Sequence, residues 1–481
     1  MRASKALAAT ALLIVTLADV PSAQNAPTVI EAALRALGAN NLSSITYSGT
    51  AALGNFGQSR TISFGLASST IRNYTRTIDF AQSASRVTGF IAPPAVQGLP
   101  QPGEFEQVVG ADDGWDQQLE IWVTPWGFLR GAAAHAATVR EQKVDGTTYR
   151  VVTWSPARKA PSGQPYRVIG YINPDNLVER VETWVEHPVL GDLPVEVRYR
   201  DYRDIAGLKV PGRIAERRQG MELFVAAIDA VLVNPPDVAA RLTPSTRFIA
   251  TRAEAVSAAS RPRASGAGSE MIAEGVYQIP GEYSALAVDM RDYVVVAGGG
   301  GDEARGQAII AETKRLLPNK PIKYVVSTHP HFDYLSVLPP FVAEGVTILA
   351  DDVSRYFIER ALGNPRTLVR DALARSRKQP KVEGIVEKLV LTERARSIEL
   401  HHLEKFEHSD ATLVVYLPRE KILFTDVDIP PPGQPSTPAV QSLLQNLDRL
   451  QLDFDRLVTV RPNVRERSLS RADLLALAQL R

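Results

Sequence analysis

Two histidines and an aspartate crowd one short stretch, Ser327-Thr328-His329-Pro330-His331-Phe332-Asp333-Tyr334. Ahead of it runs the apolar segment Ile322–Val326, which reads as a buried strand. Alternate residues of an extended chain share a side, so His329 and His331 face one way and Asp333 follows two further on. Imidazole nitrogen is the commonest zinc donor, and a catalytic zinc keeps three protein ligands and an open position for water. A single histidine here would read as a chance residue in a surface turn. His-x-His-x-Asp at a strand end reads as a metal site. The chain has no cysteine, which removes disulfides, thiolate ligands and cysteine nucleophiles together. Any metal must be held by histidine and carboxylate.

The elements that position this stretch belong to a long chain. Its 481 residues leave room for roughly three domains of ordinary size. Apolar content of 44% and charged content of 22% are ordinary globular values. A net charge of +1 gives no bulk field for nucleic acid or an acidic membrane, so the expected partner is a small molecule. Nothing in the sequence fixes an oligomeric state.

Residues 1–26 read as a secretory signal. Arg2 and Lys5 precede a largely apolar run over 6–18, and Ser22 and Ala23 offer a cleavage point. The run is short of the ~20 residues needed to span a bilayer. The expected product is a soluble periplasmic or secreted protein without stable membrane insertion.

Residues 27–250 form the first expected domain. Thr28 and Glu31 give a capping-box pattern, and Ile30, Ala33, Leu34 and Leu37 recur at helical spacing before Gly38. Strand texture follows from about Ser44 to Val233. In it Val195, Val197 and Tyr199 alternate with Glu196, Arg198 and Arg200, and Asp145-Gly146 marks a turn. An α+β domain is expected, with a curved antiparallel sheet wrapped on a helix. It weakly resembles the half-barrel of periplasmic lipoprotein-carrier proteins, a likeness of architecture that implies no activity. All five tryptophans fall here: Trp115, Trp122, Trp126, Trp154 and Trp184. Core packing is their expected role, and a ligand cavity the competing one. His135 and His187 read as structural.

Residues 251–270, rich in Ala, Ser, Arg and Gly, read as a flexible linker. From 271 to 481 strands and helices alternate, giving an α/β domain. Gly299-Gly300-Gly301-Asp302-Glu303-Ala304 matches a dinucleotide fingerprint after a strand. The acid that would hold a ribose at the end of the next strand is replaced by Thr328-His329-Pro330-His331, so a glycine-rich turn is the favoured reading. Further on come His401 and His402 on a strand, the loop Phe406-Glu407-His408-Ser409-Asp410, the strand Leu413–Leu417, and a strand running into Asp426-Val427-Asp428.

In this order of elements, residues 271–481 resemble a metallo-β-lactamase-fold hydrolase. The family carries Thr-His-x-His-x-Asp-His, a lone His before a Leu-Val-Tyr-Leu-Pro-like strand, an Asp ending the next strand, and a last His. His329, His331 and Asp333 match the first motif, and His408 matches the lone His. The resemblance implies an αβ/βα sandwich with its site between the edges of two sheets. It also implies departures. The second motif His is Tyr334, the bridging Asp aligns without gaps on Val427 between Asp426 and Asp428, and the final His falls on Arg461.

The ligands of one metal are therefore intact, and those of a second are reduced to Asp333 with Asp426 or Asp428. The expected protein is an exported hydrolase with a degraded site. One zinc on His329, His331 and His408 would activate water toward an ester, lactone or similar bond. Asp333 would orient water or take its proton. Tyr334 would donate to an oxyanion or simply fill the volume of the missing ligand. Arg461 would neutralise Asp333 or bind a substrate anion, or stand as a solvated surface charge. The alternative is a non-catalytic binding protein that kept the fold.

Overall fold

The computed structural model describes residues 25–60, 66–92, 102–252, 268–430, 434–460 and 469–479. Residues 1–24 of the stretch read as a signal, most of the stretch read as a linker, and Arg461 lie outside the described residues.

Alternation along the strands sets the layers of the carboxy-terminal half. In Val294–Gly298, Val294 and Val296 point to one core, while Val295 and Ala297 point to another. In Leu413–Leu417, Leu413, Val415 and Leu417 face that second core, and Val414 faces a third. Each strand is thus apolar on both faces and must be covered on both. The result is two central sheets face to face with helices outside each.

The sheet nearer the amino terminus has seven strands, from Glu270–Ala273 to Val382–Ile385. It is antiparallel through Ala285–Asp289 and Val294–Gly298, then parallel through Ile322–Val326 and Thr347–Asp351. Its partner has five strands, from Lys388–Glu393 to Arg456–Thr459. Leu443, Leu444 and Leu447 of helix Pro438–Leu450 close the outer side of the five-stranded sheet. Leu413 N–H donates to the Thr328 carbonyl at 2.8 Å, which locks one sheet to the other beside the histidine motif.

The amino-terminal half is an antiparallel sheet of eleven strands among the described residues. Successive strands pair in chain order, except that Gly103–Val109 and Thr138–Val144 lie at opposite edges and the first strand, Ser44–Gly54, pairs with the last, Met221–Val233. Helix Ala26–Leu37 touches both Thr138–Val144 at one edge and Leu208–Arg218, five strands away in the sheet order. The sheet therefore curls around the helix, as right-handed twist accumulated over many strands allows. Trp115, Trp126 and Trp154 are buried in its core. A cavity of about 250 Å³ also lies in this half, lined by Leu53, Ile71, Phe105 and Phe224 among others and by the ion pair Arg76–Glu120, with no tryptophan in its wall.

One apolar cluster runs without a break from this half into the outer face of the seven-stranded sheet. Polar bonds reinforce the seam. The Asp192 carboxylate accepts from the Thr367 and Leu368 amides at 2.9 and 2.8 Å, and Arg366 donates to the Pro188 and Val189 carbonyls. Gly191, at φ +69°, lies so close to the Pro365 carbonyl that a Cβ would stand 2.3 Å from its oxygen.

Candidate metal centre

Strand Ile322–Val326 ends against the Leu349 carbonyl, which accepts from Ser327 N–H at 2.9 Å. Pro330 holds His329 out of helical conformation, so the chain stays extended through His331. The alternation expected to continue to Asp333 stops there. His331 is the N-cap of the short helix Phe332–Leu335, and Asp333 sits in that helix's first turn. Phe332 anchors this turn by its ring contacts. It packs edge-on to Phe56 at 5.2 Å and to His187 at 4.9 Å, and stacks on Phe357 at 6.2 Å.

Across the sheet edge, the loop before Leu413–Leu417 brings in His408. Among the described residues, His329, His331 and His408 form a group whose donor atoms all lie within 4.8 Å of one another. Ring centroids stand 4.5 Å apart for His329 and His331, 5.2 Å for His329 and His408, and 4.7 Å for His331 and His408.

The tautomers follow from what lies behind the rings. His331 Nε2 is 3.2 Å from the carbonyl oxygen of Ser59, which can only accept. Nε2 must then carry the proton, leaving the lone pair on Nδ1. His329 Nδ1 faces the Asp426 carboxylate, with both side chains only 1% exposed. Its Nε2 is buried with no hydrogen-bond partner among the described residues. A buried, orphaned imidazole nitrogen aimed at two further imidazoles fits a divalent metal with nitrogen preference, and the carboxylate and carbonyl behind the rings are the usual outer partners of such ligands.

Electrostatics agree. Burial, with repulsion from His329 and His408, pushes His331 down to about 3 against the pull of Asp333 and Asp426, so its ring is neutral. Burial would raise Asp426, but His329 and the other two imidazoles hold it down to about 2. Thr328 Oγ1 also donates to it at 3.2 Å.

Asp333, Asp426 and Asp428 were expected as metal ligands, and the structure separates their positions. Asp333 has both oxygens engaged: Gln58 Nε2 donates to one and Tyr283 Oη to the other, each at 2.9 Å. Burial would raise its pKa, yet these two bonds and the nearby imidazoles take it below the usual carboxylate range. Asp426 stands behind His329 as described. Asp428 is exposed. Val427, the ungapped match to a bridging aspartate, is buried in the apolar cluster with Phe406 and Leu443, on the far side of the sheet.

Tyr334 is buried at 4% exposure in the core between the two sheets. Its ring lies 3.9 Å from that of His329 and edge-on to Tyr283 at 5.2 Å. It fills the space a ligand imidazole would take. His402 faces Asp351 at 2.5 Å and His401 faces Glu399 at 2.8 Å, so neither joins the group.

The glycine run has a packing cause. Gly298, Gly299 and Gly301 have φ of +74°, +89° and +110°. Gly301 N–H donates to the Asp333 carbonyl at 2.7 Å, and a Cβ on Gly300 would meet the Tyr283 ring at 2.7 Å. The backbone approaches the histidine turn, where a pyrophosphate would otherwise have to sit.

Sequence reasoning missed Tyr283 and the whole of 57–60. The latter reads as an unremarkable turn in Gly57-Gln58-Ser59-Arg60, with no motif to tie it to a histidine some 270 positions on.

Two face-to-face sheets with outer helices and a histidine group at their common edge define a metallo-β-lactamase-fold domain. Residues 281–425 match the metallo-beta-lactamase superfamily model, and the carboxy-terminal half has that fold. Among solved structures, a metallo-beta-lactamase from Pontibacter korlensis is 19% identical, with 44% of this chain and 98% of that one covered and a TM-score of 0.32. The metallo-beta-lactamase FIM-1 from Pseudomonas aeruginosa, crystallised in a mono-zinc form, is 17% identical, with 44% and 93% covered and a TM-score of 0.32. No curated protein matches the chain. Among the described residues no helix is long and apolar enough to cross a membrane.

Proposed function

We propose that this protein is an exported hydrolase that binds one zinc ion per chain on His329, His331 and His408 and acts on an ester, lactone or similar bond. The reading rests on one observation: three imidazoles converge with donor atoms within 4.8 Å, and one of them presents a buried nitrogen with no hydrogen-bond partner among the described residues. When bound to three neutral imidazoles, zinc supplies Lewis acidity that brings a water's pKa toward about 7. The chain's own residues supply the rest. Asp426 orients His329, and the Ser59 carbonyl orients His331. Asp333 is kept ionised and fixed by Gln58 and Tyr283, so it presents a stationary negative charge beside the imidazoles.

That engagement of Asp333 also favours a second reading, a metal-binding protein without turnover, because a carboxylate with both oxygens accepting hydrogen bonds is a poor general base. One experiment separates the two. Protein purified without chelator is analysed for metal and assayed on ester, lactone and phosphodiester panels, with His408→Ala alongside. One zinc and turnover lost in His408→Ala is the expected result. One zinc without turnover favours the binding protein. No metal, or two tightly held, sinks the proposal. Export is inferred from residues 1–26 and is checked by the amino-terminal sequence of the mature protein.

A further inference from the structure

The amino-terminal half does not merely adjoin the metal centre. We infer that residues 57–60, carried on the loop between its first two strands, are positioning residues of that centre, so that the two halves make one site. The inference rests on the metal-site reading above.

Four successive residues each grip a different part of the site. The Gly57 carbonyl accepts from Phe332 N–H at 3.0 Å. Gln58 Nε2 donates to Asp333 at 2.9 Å. The Ser59 carbonyl accepts from His331 Nε2 at 3.2 Å. The Arg60 carbonyl accepts from Asp410 N–H at 3.0 Å, and its guanidinium pairs with the Asp410 carboxylate at 3.2 Å. Asp410 lies two residues beyond His408, so the loop ties the histidine motif to the loop bearing the third imidazole.

Two features make this a built contact. Gly57 has φ +85°, and a Cβ there would stand 2.1 Å from the Phe332 ring. The loop can come this close only with glycine at that position. Phe56, the next residue back, packs edge-on to the same ring at 5.2 Å. The loop is thus keyed to Phe332, between the two motif residues it holds, His331 and Asp333. Outer-sphere partners that fix an imidazole's tautomer commonly change metal affinity ten- to a hundred-fold.

The test is made on the full chain, with zinc alone as the probe. Gly57→Ala is compared with Gly146→Ala, which carries the same backbone penalty at φ +86° but meets nothing within 4 Å. Zinc dissociation constants are read by chelator competition, and site geometry by the visible spectrum of the cobalt(II)-loaded protein. Gly57→Ala should bind zinc at least ten-fold more weakly and alter the cobalt spectrum, while Gly146→Ala matches the parent. Should Gly57→Ala fail to fold, Gln58→Ala/Arg60→Ala decides, since both side chains are exposed and their loss removes the bond to Asp333 and the ion pair with Asp410 without a clash. Zinc affinity and cobalt spectrum equal to the parent's in a folded variant overturn this inference alone. A parent that binds no zinc overturns the metal-site reading as well.

Discussion

Asp426 stands directly behind His329, its carboxylate against Nδ1, with both side chains 1% exposed. This buried pair fixes which imidazole nitrogen faces His331 and His408. A carboxylate accepts only, so it selects the tautomer that leaves Nε2 with its lone pair. Asp426→Asn keeps the shape and removes the charge, and its amide can turn a donor toward the ring. Zinc affinity should fall ten- to a hundred-fold in Asp426→Asn with folding retained. Chelator competition on the parent and variant checks this. Unchanged affinity would show that the carboxylate does not set the ring.

Val427→Asp addresses the neighbouring position. If Val427 were the bridging position, this substitution would create a second metal site. Its side chain instead lies among Leu403, Phe406 and Leu443, so a carboxylate there is buried without partners. The variant should lose stability on the order of 3 kcal/mol and gain no metal. Urea unfolding and elemental analysis read both at once.

Tyr334→His restores the missing motif histidine, yet it should leave the stoichiometry at one zinc. Asp333, the carboxylate it would have to work with, has both oxygens taken by Gln58 and Tyr283. Two zinc ions in the folded single variant would mean that these hydrogen bonds yield easily to a cation, and the account of Asp333 would have to be given up.

How much of this was legible in the sequence follows from the range of the signals. The strand before His329 and the two motif histidines were readable because periodicity and short motifs are local, whereas His408 was assigned only by resemblance to the metallo-β-lactamase fold. The four-layer sandwich was what that resemblance, carried by the order of the elements, implied. Asp333 was read on strand alternation, which a four-residue helix interrupts once Phe332 has to reach Phe56 and His187. The choice among Asp426, Val427 and Asp428 was not readable, because the strand Ile422–Thr425 ends just before them and alternation no longer governs. Gln58, Ser59 and Tyr283 left no trace, since a backbone carbonyl has no residue code and their partners are remote in sequence.

Acid should weaken the seam between the halves through His187. Its Nδ1 accepts from the Val189 and Leu190 amides at 3.1 and 3.0 Å, which requires an unprotonated nitrogen, and its ring packs on Phe332. Burial above all takes its pKa from 6.5 down to about 4. Between these values the unfolded chain binds a proton that the folded chain refuses. Stability from this group is therefore full above pH 6.5 and is lost as pH falls toward 4. The slope is at most about 1.4 kcal/mol per pH unit for one proton. Urea unfolding from pH 7 to 4.5 should give a shallower pH dependence for His187→Asn than for the parent. Equal slopes would remove His187 from the acid response.

Cleavage of the linker should not separate the halves. Its composition alone would suggest two bodies on a loose tether, whose relative motion is the usual expectation when few contacts cross. Here many do. Asp192 is bonded to Thr367 and Leu368, Arg366 reaches the Pro188 and Val189 carbonyls, and Phe332 is packed among Phe56, His187 and Phe357. Beneath them one apolar cluster continues across the seam. Burial of that kind, at about 25 cal/mol per Å², outweighs the modest gain in freedom from one cut chain. Limited proteolysis is expected to cut within 251–270, at an arginine such as Arg261 or Arg263. The nicked protein should then elute as a single species of the parent's size in size-exclusion chromatography, retain its zinc, and part into two fragments only in denaturant. Fragments that elute separately in native buffer would show that the seam is weak. Fragments that stay together but release zinc would show that the halves can remain in contact while the grip of 57–60 on the histidines is lost.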